Sequence, residues 1–403
     1  MFCARLRYKS LDWRGPVDPY RNPFAPGAGS RPPELAGRSA ILDMARISCG
    51  RALKGRNARS IMLLGLRGVG KTVLLNEIGR NAEQEGLLVS RVESPEGESL
   101  ARLIFPEMRK VLRSLSSVAA AKHLATRGLN GLRNFASIFK IEMAGVEVGV
   151  ETEPGLAETG DLQYDLPDLF ILIGKAAQAA GRGWLLLIDE VQYLSEADLS
   201  ALIVSLHRIS QDGLPVLMVG AGLPQIARLA GEAKSYSERL FQYPSVGPLD
   251  PVSAGQAIEK PVLEEEASIT PEALQAIVER TKGYPFFIQE WASVVWDNSE
   301  GPEITSVEVD NSYAETLARL DEGFFKVRID RLTKAEVQFV KAMAQLGDGP
   351  YAMADVAKSM GRTQSSLGPV RASVISKGMI YSSDHGYLDF TVPLFDEFMR
   401  RQS

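Results

Sequence analysis

Cysteine is almost absent from this 403-residue chain, which holds only Cys3 and Cys49. Two thiols this far apart cannot build a disulfide framework, and neither falls at metal-ligand spacing with the other or with a histidine. Disulfide-rich secreted folds and zinc ribbons are therefore excluded, and a reduced, cytoplasmic setting is the expectation. Long apolar runs are missing too. The strongest, residues 184–188, is strand-sized, far short of the roughly 18 residues a membrane helix needs, so no membrane partner is expected. The first 18 residues mix Arg5, Arg7, Lys9 and Arg14 with polar side chains and lack an apolar centre, which excludes a secretory signal there. No charge dominates either: 45 Lys and Arg face 50 Asp and Glu, and a net charge of −5 neither demands nor forbids a nucleic-acid partner.

The rest of the composition is that of a globular protein, and the length suits two or three domains. Residues 1–33 carry Pro16, Pro19, Pro23, Pro26, Pro32 and Pro33 among several glycines, the pattern of an extended or disordered lead-in. Residues 38–54 place Ile41, Met44, Ala45 and Ile47 at helical spacing, with Ser39 as the expected N-cap. From residue 60 short apolar runs (61–64, 87–92, 184–188, 216–219) alternate with helical stretches (72–85, 100–115, 169–180, 199–209). That alternation predicts an α/β fold, a parallel sheet covered by helices on both faces. Residues 137–153 break the rhythm with period-2 alternation around Ala144-Gly145, predicting a hairpin inserted between the second and third strands. Past residue 250 the strand pattern stops: residues 251–330 read as helical, and 331–403 as a separate final unit.

The chemistry concentrates in Gly65-Leu66-Arg67-Gly68-Val69-Gly70-Lys71-Thr72, which fits G-x-x-x-x-G-K-[ST]. Glycines let such a loop fold tightly enough for its N–H groups to converge on phosphate oxygens, at the positive end of the helix that follows. Lys71 then reaches the β and γ phosphates of ATP, and the Thr72 hydroxyl ligates Mg²⁺. The apolar run 184–188 ends in Asp189-Glu190, the second half of the site. Asp189 is assigned to Mg²⁺ and Glu190 to orienting and deprotonating the attacking water.

Together with a Gly37-Arg38 pair ahead of the loop, a helical lid and a C-terminal winged helix, these motifs resemble the initiator-type AAA+ ATPases, the origin-recognition-like proteins and their bacterial relatives. The resemblance runs over most of residues 20–403 and is weakest at 115–163. It implies an AAA+ nucleotide-binding domain over 34–250, a lid over 251–330 and a winged helix-turn-helix over 331–403. It also implies that Gly37 and Arg38 line the adenine pocket, the alternative for Arg38 being a surface charge at a helix start. Tyr284 and Pro285, in Gly283-Tyr284-Pro285-Phe286-Phe287, resemble the G-x-P lid element of related signalling NTPases and inherit a nucleotide contact. Arg239 stands where an arginine finger reaches a neighbouring protomer, with Arg228 as the other candidate and intrachain pairing as the alternative for both. The run 216–219 passes into Gly220-Ala221-Gly222, so the polar sensor of such proteins is missing there, which implies slow hydrolysis and a nucleotide acting chiefly as a conformational switch.

In the final unit, helices over 334–346, 353–360 and 365–377 precede two short apolar runs, 379–382 and 387–392, around the turn Asp384-His385-Gly386. Helix, helix, helix, wing would set the third helix in a DNA major groove, with Arg362, Arg371 and Lys377 on phosphates. Residues 333–403 hold eight Lys or Arg against seven Asp or Glu, so no basic footprint accompanies the pattern. Double-stranded DNA is the expected target of that winged helix, the alternative being a signalling or scaffold NTPase whose winged helix binds a protein partner; self-association stays open, beside ATP and ADP.

Overall fold

The computed structural model describes residues 18–27, 29–141 and 155–402. Backbone contacts divide the chain into two compact units. Arg38–Gly247 join Lys334–Ser403 in one, and the N-terminal segment to Gly37 joins Pro248–Thr333 in the other.

The first unit opens with α1 (Ser39–Leu53), β1 (Ser60–Leu64) and α2 (Lys71–Gln84), followed by β2 (Leu88–Glu93) and α3 (Leu100–Ser116). It continues through α4 (Lys122–Ile138), α5 (Leu162–Ala179), β3 (Trp184–Asp189), α6 (Glu196–Gln211) and β4 (Val216–Gly222). Two short helices, α7 (Ile226–Ala233) and α8 (Ser237–Leu240), lead to β5 (Phe241–Gln242). The sheet order is β2-β3-β4-β1-β5, all parallel. Every residue of β3 and β4 is buried, as expected of central strands covered on both faces, whereas edge strand β2 alternates exposed and buried residues in its second half. Trp184 anchors the centre: its ring meets Phe170 of α5 edge-on at 4.9 Å, and its indole N–H donates to Ser90 Oγ of β2 at 3.0 Å.

Several sequence-based expectations are corrected here. Ser39 is the first residue of α1 rather than its cap; the cap is Arg38, which makes no side-chain capping bond. Helix α5 starts seven residues before position 169, capped by Asp161, and runs through Pro167. The missing rung there is outweighed by the complete burial of Leu166, Leu169, Phe170 and Ile173. Helix α4 had no counterpart in the sequence reading. Its Gly128 and Gly131 weaken helix propensity but let neighbours close in: a Cβ at Gly128 would stand 2.7 Å from Leu112, and one at Gly131 2.4 Å from Leu156. The hairpin expected over 137–153 lies outside the described residues from 142 on, while 137 and 138 finish α4.

The second unit holds α9 (Pro251–Glu264), β6 (Ser268–Ile269), α10 (Pro271–Thr281), α11 (Pro285–Asp297), β7 (Glu303–Ile304), α12 (Ser306–Asn311) and α13 (Tyr313–Leu320). A π-helical turn, Asp321–Lys326, passes into α14 (Val327–Ile329). Strands thus do not stop at residue 250, since β6 and β7 pair in parallel. The described part of the lead-in holds neither strand nor α-helix, only a 3-10 turn at Pro19–Arg21, and it is anchored rather than loose. Phe24 is buried, Asn22 Nδ2 donates to Asp297 Oδ1 at 2.8 Å, and the Ala25 N–H donates to Gln289 Oε1 at 3.1 Å.

Residues 334–403 form α15 (Lys334–Ala344), β8 (Tyr351–Ala352), α16 (Met353–Ser359), α17 (Gln364–Ser376), β9 (Ile380–Asp384), β10 (Tyr387–Phe390) and a helix the sequence reading lacked, α18 (Phe395–Arg401). The three strands form an antiparallel sheet in the order β8-β10-β9. Phe390 packs on Tyr351 and Phe395 at the centre of this segment. It was expected to be separable, yet it packs into the same unit as the parallel sheet. No helix among the described residues is long and apolar enough to cross a membrane.

Candidate nucleotide-binding site

At the C-terminal end of the parallel sheet, β4 lies between β1 and β3, so the loops after β1 and β3 are set one strand apart. The loop after β1 begins at Gly65, where a Cβ would stand 2.1 Å from the Val246 carbonyl oxygen; only glycine fits. Gly68 and Gly70 have φ of 80° and 90°. Gly70 is the N-cap of α2, so the loop delivers its amides to the positive end of that helix, a cradle for phosphate oxygens.

Lys71 is buried at the start of α2, and its ammonium donates to Gly65 O at 3.0 Å and Leu66 O at 2.8 Å. Three N–H donors on an ammonium leave one beyond those two carbonyls. Burial lowers the Lys71 pKa, while Glu190 and Asp189 draw it back up. The Thr72 hydroxyl donates to Asp189 Oδ2 at 2.6 Å, bridging the loop to β3, and the Glu190 N–H donates to Asp189 Oδ1 at 2.9 Å. Burial raises the Asp189 pKa, and those two hydrogen bonds oppose it. A hydroxyl beside a buried carboxylate is a hard oxygen pair. It suits Mg²⁺, which keeps several waters and takes phosphate oxygens for the rest of its shell. Among the described residues no cluster of three or more His, Cys, Asp or Glu offers a fuller protein cage.

Arg38 is buried, and its guanidinium donates to the carbonyls of Val69 (3.2 Å) and Gly247 (2.6 Å). The surface-charge alternative is thereby overturned: the side chain braces the loop from behind. Gly37, Tyr284 and Pro285 lie in the other compact unit. There Tyr284 is the N-cap of α11 and Pro285 its first residue, while Gly37 has φ of 67° beside Ser253. Of the two arginine-finger candidates, Arg228 pairs with Glu232 at 2.7 Å. Arg239 is exposed, without a side-chain partner among the described residues.

Two features escaped the sequence reading. The Arg67 N–H donates to Thr391 O at 2.9 Å, and Arg67 Nη2 donates to the Tyr193 hydroxyl at 2.7 Å. That pair lies against Gly378, where a Cβ would fall 2.6 Å from the guanidinium and 2.8 Å from the hydroxyl. The C-terminal segment is thus seated on the 65–70 loop itself. The other is Gln192, whose carboxamide joins the Glu190 carboxylate to the end of β4. Neither follows a spacing rule, because the partners come together only through tertiary packing.

Residues 34–219 match the family model of the AAA ATPase domain. A Walker-type ATPase of Pyrococcus abyssi, PABY2304, is similar in structure with a TM-score of 0.53 and 16% identity, over 92% of this chain and 97% of that one. The fold is that of the AAA+ P-loop ATPases. Weaker likenesses within this ATPase fold are the RuvB Holliday junction branch migration motor of Thermotoga maritima (TM-score 0.46, 15% identity, 93% and 99% covered) and the Orc1 protein of Aeropyrum pernix in complex with DNA (0.42, 15%, 92% and 94%). No curated protein matches the chain. Residues 322–399 match a model described as a domain of unknown function.

Proposed function

We propose that this protein binds and hydrolyses ATP with Mg²⁺ and uses the nucleotide as a switch read by its C-terminal domain. In this reading the loop 65–70 and Lys71 hold the β and γ phosphates, Thr72 and Asp189 hold Mg²⁺, and Glu190 orients the attacking water and takes its proton. Arg38 steadies the loop through the Val69 and Gly247 carbonyls, and Arg239 is the group free to act on a neighbouring protomer. The observation that carries the proposal is the 2.6 Å bond between Thr72 Oγ1 and Asp189 Oδ2, which joins the two halves of the site across an intervening strand.

The switch follows from the seat of residues 334–403. A loop that rearranges around phosphates must carry Arg67 with it, and Arg67 is tied to Thr391 and packed on Gly378. We read the segment as a winged helix, α17 being its third helix and β9–β10 its wing. For its target, the side chains favour a protein partner over duplex DNA. Lys377 is paired at 2.7 Å with the buried Glu336, and Arg371 donates to Ser382 Oγ at 3.0 Å. The residues α17 exposes, Gln364, Ser365, Ser366, Pro369, Ala372 and Ser376, carry no charge.

Fluorescent-ATP titration and phosphate release test the core of the reading. Lys71→Ala should lose nucleotide binding, and Glu190→Gln should keep it while losing turnover. Normal ATP affinity in the first variant would sink the phosphate-loop assignment, and normal turnover in the second would move the base elsewhere. Salt-sensitive retardation of duplex DNA by the ATP-loaded protein would restore the DNA reading.

A further inference from the structure

The sequence leaves the end of β4 without a polar side chain, since Gly220-Ala221-Gly222 supplies none. The structure fills that place from elsewhere. Glu190 follows β3 with φ 53° and ψ 42°, a left-handed conformation unusual for a residue with a Cβ. It opens a single 3-10 turn, Val191–Tyr193, closed by the Tyr193 N–H donating to Glu190 O at 3.0 Å. This turn swings the chain back so that Gln192, two residues on, reaches both ways. Its Nε2 donates to Glu190 Oε2, and its Oε1 accepts the Leu223 N–H at 3.2 Å, immediately beyond β4. The seat for that carboxamide exists only because residue 222 has no side chain: a Cβ there would fall 2.4 Å from Gln192 Oε1 and 2.1 Å from Ile226 Cδ1.

We infer that Gln192 is a positioning residue for hydrolysis, a latch that fixes the Glu190 carboxylate against the end of β4 and stands in for the missing polar group of that strand. This rests on the assignment of Glu190 as the water-activating group. A carboxylate at a chain reversal has free side-chain torsions. Tying one oxygen to an amide that is itself tied to a central strand removes that freedom, and leaves the other oxygen to meet water in a set direction. The amide contributes no proton transfer of its own. Its removal therefore acts on the rate of the chemical step and not on the hold of the phosphates, which rests on loop 65–70 and Lys71.

The test compares Gln192→Ala, Gln192→Leu and Gly222→Ala with the unsubstituted full-length protein and with Glu190→Gln. ATP affinity is measured by fluorescent-nucleotide titration, turnover by phosphate release, and folding by thermal melting. Both Gln192 variants should lose about tenfold or more in kcat while ATP affinity stays within about twofold. Gly222→Ala, which displaces the carboxamide from its seat, should show the same split. The double variant Gln192→Ala/Gly222→Ala should be no slower than the slower single one, since both act through one contact. Gln192→Leu preserves the volume, so a packing defect alone predicts melting and affinity losses in step with kcat; that pattern, or wild-type turnover in both Gln192 variants, overturns the latch. If Glu190→Gln turns over ATP as fast as the unsubstituted protein, the base assignment fails instead, whatever the Gln192 variants do. Absence of any turnover by the unsubstituted protein would overturn both.

Discussion

Replacing Arg38 tests how the phosphate loop is held. Its guanidinium makes a 2.6 Å bond to Gly247 O and a 3.2 Å bond to Val69 O, from a side chain that is 7% exposed. Hydrogen bonds from a charged donor contribute about 1.5–3 kcal/mol each, the longer one at the low end. Water entering the space opened by alanine would re-satisfy part of the loss, so Arg38→Ala should destabilise the protein by about 2–4 kcal/mol. In a unit of this size that lowers the melting temperature by roughly 2 °C per kcal/mol, about 4–8 °C in all. Val69 lies inside the phosphate loop, so losing the brace adds an ordering cost to nucleotide binding. A cost of about 1–1.4 kcal/mol would weaken ATP by about five- to tenfold. Arg38→Lys should fall between the two, because both bonds leave one guanidinium nitrogen, Nη2, and the shorter lysine stem does not carry its ammonium fully to that point. Thermal melting with and without ADP, together with nucleotide titration, reads both effects. A melting temperature and an ATP affinity unchanged in Arg38→Ala would refute the brace.

The other predictions concern the thiol and the C-terminal segment. Burial pushes the Cys49 pKa up to about 12, so at pH 7–8 it stays a protonated thiol; peptide mapping should find it unalkylated in the native protein and labelled after unfolding, and rapid native labelling would contradict the packing of α1. Truncation after residue 333 removes Thr391 and Gly378 from Arg67, so it should lower the melting temperature of the remaining sheet domain and change its ATP affinity. An unaltered nucleotide site in the truncated chain would show that the C-terminal segment only rests beside the loop.

How much was legible in the sequence depended on the range of the signal. The left-handed glycines 68 and 70, with φ of 80° and 90°, and the meeting of Thr72 with Asp189 could be read from the motif spacing, because backbone conformation and ligand chemistry restrict which residue types work there. The alternating runs gave the parallel sheet for a similar reason: strands buried on both faces must be apolar throughout, as β3 and β4 are. Local rules failed where tertiary burial overrode them. Pro167 hid the start of α5, and Gly128 and Gly131 hid α4, yet each is tolerated or required by the neighbours it packs against.

What only the tertiary structure decided is who meets whom. The sequence presents Arg38 as an adenine-pocket residue or else a surface charge, Lys377 and Arg371 as phosphate ligands and Gln192 as an unremarked polar residue. Folding buries the first under the phosphate loop, ties the next two to Glu336 and Ser382, and lays the last against Glu190. Such pairings join positions up to 209 residues apart. A side chain's charge is written in the sequence, but whether that charge is spent inside the molecule or offered to a partner depends on the distances that packing alone sets.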